Sequence, residues 1–132
     1  LPVIRNAMYE LFSAFDYNDA SAPISKRYTT VVPHQALFFL NAPMVLDAAL
    51  AVTRQVFDME LSEEGRVQEI HRKILCREAT DEEVDRAIVF VNRATEYFRS
   101  SAEEDRPGGP VESSWQAFSQ ALLASSEFLY LD

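Results

Sequence analysis

The chain has 132 residues, 48% hydrophobic and 25% charged, with 12 Lys+Arg against 21 Asp+Glu for a formal net charge of −9. That length suits one domain with a single sizeable core, and that composition is neither disordered nor membrane-embedded. A field of this sign repels nucleic-acid backbones and anionic membrane surfaces, and no apolar run approaches the roughly 18 residues of a spanning helix, so neither nucleic acid nor a membrane span is expected.

Leu1-Pro2-Val3-Ile4-Arg5 starts extended, because the residue before a proline avoids the α region. Asn6 is placed to cap a short first helix carrying Met8, Leu11, Phe12 and Phe15 at spacings of three and four. Asp16 to Val32 reads as a long polar connection that wraps the surface. The densest apolar block follows, from Lys26 to Asp58, and reads as the piece the rest packs around. Pro33 and Pro43 both suit a first helical position, where a missing N–H costs nothing. Between them His34 to Leu40 gives a short buried helix, with Asn41 placed to stop it and help cap the next. From Pro43, the residues Val45, Leu46, Ala49, Val52, Val56 and Phe57 form one stripe, and Ala48, Ala49 and Ala51 keep that helix slim enough for close approach.

Ser62 then caps a helix with Glu63 and Glu64 in its first turn and a buried stripe of Val67, Ile70, Ile74 and Leu75. Thr80-Asp81-Glu82-Glu83 matches the capping box, in which hydroxyl and carboxylate satisfy each other's exposed backbone donors. Val84, Ala87, Ile88, Val91, Ala94 and Phe98 continue it as a long helix, which ends before the breaker cluster Arg106-Pro107-Gly108-Gly109-Pro110. A last helix resumes near Val111 with Trp115, Phe118, Leu122 and Leu129 on one face. Residues 1–132 thus read as one all-α domain, an irregular bundle of five to six helices with a long connection after the first.

Chemistry-bearing residues are sparse. Cys76 is the only cysteine, which leaves no internal disulfide, no thiolate zinc cluster and no haem-attachment motif. His34 and His71 have no ligand partner at metal-binding spacing, and both read as residues of a solvated side. Asp16, Asn18 and Asp19 start like a calcium loop, but Ala20 and Ser21 break the pattern and no glutamate follows at the twelfth position. The acidic pairs lie near helix ends, where dipole compensation accounts for them. Trp115 with Phe118 reads as core in preference to a sugar-stacking platform. No cofactor is expected in this domain.

Leu1 to Asn6, Phe15-Asp16, Arg27, Thr30, Pro33, Gln35-Ala36-Leu37 and Leu40-Asn41-Ala42-Pro43 together carry a family likeness. So do Arg77 with Thr80 and Glu83, and Trp115 leading to Leu122-Leu123 and Glu127-Phe128-Leu129. The chain resembles the C-terminal domain of unknown function 1553, PSD-type, of large exported planctomycete proteins. Cys76 stands where that family commonly has glycine, and Ala79 where it commonly has proline. The resemblance implies a C-terminal piece of a longer multidomain protein, exported to the periplasm or cell surface, with a cytochrome-c-like module elsewhere in it. It supplies no catalytic residues.

Two functions stay open. One is a non-catalytic interaction or scaffolding module, whose partners are the preceding domains of the same chain, another protein or a polysaccharide. The other is part of a composite enzyme or carbohydrate-binding site completed by the preceding domain, with Arg5, Arg27, Gln35 and Asn41 converging on an anionic or sugar ligand. On the residues alone these polar positions read as structural. Gln35 and Asn41 flank the most apolar helix, Arg27 lends donors to the adjacent loop, and Arg77 lends them to the carbonyls ending the helix before it. Replacing Gln35 or Asn41 by Ala is therefore expected to lower the melting temperature by an amount equivalent to about 1–2 kcal/mol, measured by thermal denaturation.

Overall fold

The computed structural model describes residues 42–100 and 108–125, which form four α-helices and, among the described residues, no strand. These are α1 (Pro43–Asp58), α2 (Glu63–Leu75), α3 (Asp81–Ser100) and α4 (Gly109–Leu123). The all-helical expectation holds for them. The expected five to six helices are not matched: four are found, and the helices expected after Asn6 and at His34–Leu40, with the connection between them, lie outside the described residues.

Helix α1 starts at Pro43 as its sequence requires, with Ala42 as an extended N-cap that offers no side-chain bond. The Ala42 carbonyl accepts from the N–H groups of Val45 and Leu46, both at 3.0 Å. Val45, Ala49, Thr53 and Val56 form its buried face, while Val52 and Phe57 pack half-buried at its edge. Thr53 belongs to that face by spacing, four residues after Ala49 and three before Val56, although its hydroxyl kept it out of the apolar stripe. The hydroxyl donates to the Ala49 carbonyl at 2.7 Å and lies 3.3 Å from Ser119 Oγ on α4. It is thereby satisfied inside the packing. Of the three alanines expected to slim α1, Ala49 alone is fully buried, and α1 packs directly on α4.

Ser62 caps α2 through a 3.1 Å bond from the Gly65 N–H, and Glu63 and Glu64 sit in the first turn, as expected. Val67, Ile70, Ile74 and Leu75 are buried, and so is His71, at 1% exposure. The solvated reading of His71 is therefore corrected. It lies one residue after Ile70 and three before Ile74, on the apolar stripe itself, with its ring 5.9 Å from that of Phe118 and Nδ1 3.0 Å from the Val67 carbonyl.

The chain's strongest turn signals also hold. Thr80 caps α3 in a complete capping box: Glu83 N–H donates to Thr80 Oγ1 at 3.2 Å, and Thr80 N–H to Glu83 Oε1 at 2.9 Å. Val84, Ala87, Val91, Ala94 and Phe98 are buried as expected, Ile88 packs at the rim, and Phe90 joins the core at a position equally spaced for it. Gly108 and Gly109 open α4 in the left-handed region, at φ of 87° and 78°. A Cβ at Gly108 would also run into the Glu112 side chain.

Among the described residues the most enclosed element is α4; the apolar block from Lys26 to Asp58 lies outside them except for residues 42–58. From Ser113 to Leu122 every residue but Gln116 is buried, and α4 packs against α1, α2 and α3. Ser113, Ser114, Ala117, Ser119 and Ala121 are small, so neighbours can approach α4 from several sides. Trp115 and Phe118, at 1% and 0% exposure, fill the space between, which bears out the core reading of that pair. Leu129 lies outside the described residues.

Helix α2 ends in Cys76, which takes the left-handed conformation at φ 61° while its N–H bonds the Arg72 carbonyl at 3.1 Å. This position favours glycine because a Cβ is strained there, by roughly 1–2 kcal/mol, against a smaller entropic cost of glycine in the unfolded chain. Cys76→Gly is expected to stabilise the protein by about 0.5–1 kcal/mol, read as a higher urea midpoint with an unchanged slope.

Candidate functional site

Arg5, Arg27, Gln35 and Asn41, the candidate binding residues, all lie outside the described residues, as does His34. The most closely organised polar cluster that is described occupies the elbow between α2 and α3. Here Gln68 reaches from α2 and bonds both backbone groups of a single residue, Ala79. Its Nε2 donates to the Ala79 carbonyl at 3.1 Å, and its Oε1 accepts from the Ala79 N–H at 2.9 Å. The second of these bonds needs an N–H at position 79. A proline at this position would lack it.

Arg77 sets the second half of the cluster. Its Nη1 donates to Glu83 Oε1 at 2.9 Å and its Nη2 to Glu83 Oε2 at 2.8 Å, a two-pronged pair in which Glu83 retains only 10% side-chain exposure. Nη1 also donates to the Glu78 carbonyl at 2.8 Å. Beside the expectation that Arg77 serves the carbonyls ending α2, it bonds forward to the start of α3. The reason is that Glu83 already faces back across the capping box, and a planar guanidinium meets both of its oxygens at once. The cations at the end of α2 are Arg72 and Lys73. Arg72 pairs with Glu69 at 2.8 Å and Glu78 at 3.2 Å on the surface, and its hydrogen bond to Glu78 holds its pKa above the ordinary arginine value.

A third polar element lies at the α1–α2 corner. The Arg66 guanidinium stacks over the Phe57 ring at 4.1 Å and stands 5.4 Å from the Trp115 ring, with Nε shut inside the packing. Its aliphatic stem and flat head cover the aromatic core in the manner of a lid. Arg54 approaches Glu112 at 3.9 Å on the α1–α4 side.

What these arrangements can do chemically is limited. Glu83, Arg77, Gln68, Thr80 and Thr53 are engaged by one another or by backbone groups, which fixes helices. Cys76 is exposed and carries no disulfide. Among the described residues no three His, Cys, Asp or Glu side chains gather as a metal site, and no helix is long and apolar enough to cross a membrane. Gln68 was not singled out in the sequence, and its signal is absent there, because a clamp on a residue eleven positions away has no periodicity.

Among the described residues, fold and polar cluster together define an all-helical arrangement whose organised polar groups serve as joints between helices. The chain belongs to the PSD1 family, described as a protein of unknown function (DUF1553), whose model matches residues 1–91. No curated protein and no solved structure matches it.

The matched stretch stops inside α3, whereas Phe98, Trp115, Phe118 and Leu122 of the core cluster come after it. A chain ending at Val91 is accordingly expected to lose cooperative thermal unfolding, which circular dichroism melts of the two lengths would compare. A second contrast tests the elbow. Gln68→Ala is expected to cost about 1–3 kcal/mol by leaving both Ala79 backbone groups unpaired, while Arg72→Ala leaves the denaturation midpoint where it was.

Proposed function

We propose that this chain is a non-catalytic interaction or scaffolding module of a larger exported protein, working in the periplasm or at the cell surface. Its partners are the preceding domains of the same protein. The observation that supports this reading is the commitment of polar side chains to neighbouring side chains and backbone groups: Gln68 to the Ala79 backbone, Arg77 to Glu83, and Thr53 to Ser119 and the Ala49 carbonyl. Side chains spent in this way build a rigid body, which suits a module that presents a surface. The planctomycete setting and the association with a cytochrome-c-like module come from the family resemblance and belong to the same proposal.

The test is calorimetric titration of the 132-residue chain with the preceding domains of its parent protein. Saturable association supports the reading. Failure to associate, together with saturable binding of an oligosaccharide that Arg27→Ala or Gln35→Ala abolishes, would overturn it in favour of a composite binding site with Arg5, Arg27, Gln35 and Asn41 in its wall.

A further inference from the structure

We draw no further inference here: the strongest candidate, the Arg66 side chain stacked over Phe57 beside Trp115 at the α1–α2 corner, has its unpaired donor Nε closed inside the packing, and nothing in the structure shows what would cover the rest of it.

Discussion

Phe118 is the contact on which the described helices converge. Its ring lies 5.9 Å from His71 of α2, 6.2 Å from Phe90 of α3 and 6.0 Å from Trp115 one turn back on α4, the last in edge-to-face geometry at 89°. Such pairs contribute about 0.5–1.5 kcal/mol each beyond the area they bury. Aromatic partners on α2 and α3 fix the rotation of α4 about its own axis. That rotation in turn brings Ser119 to Thr53 and so seats α1. Small residues around Phe118 on α4 make this arrangement possible, since bulkier neighbours would hold the other helices away.

The elbow between α2 and α3 complements that apolar hub with directional bonds. Burial alone is non-directional and would tolerate a range of angles between two helices. The clamp of Gln68 on Ala79, the capping box of Thr80 and Glu83, and the Arg77 pair select one angle. Strain at Cys76 is tolerated because the bonds on either side of it over-determine the turn.

Much of this was legible in the sequence, and the misses share a cause. Helix starts at Pro43, Ser62 and Thr80 were readable because caps and prolines act over three or four residues. Apolar stripes on α2 and α3 were readable from spacing. His71 and Thr53 were missed because residue type was allowed to outweigh position, although both sit at core spacing and both find a backbone carbonyl four residues back. The centrality of α4 had no comparable signal: its burial rests on serines and alanines, which read as indifferent to water until their neighbours are known. Gln68 and the forward turn of Arg77 depend on how two helices meet, and a linear pattern does not carry that. The candidate positions Arg5, Arg27, Gln35 and Asn41 lie outside the described residues, so the sequence remains their only witness.

Trp115 is the single tryptophan of the chain, and it sits inside the core cluster with the Phe118 ring 6.0 Å and the Arg66 guanidinium 5.4 Å away. Its emission is consequently a spectroscopic gauge of two events at once. Loss of the core moves the indole into water and shifts the band to longer wavelength, whereas displacement of Arg66 alone alters intensity by removing a neighbouring cation while the indole stays dry. A ligand or partner that touches the α1–α2 corner would thus be visible in an unlabelled sample.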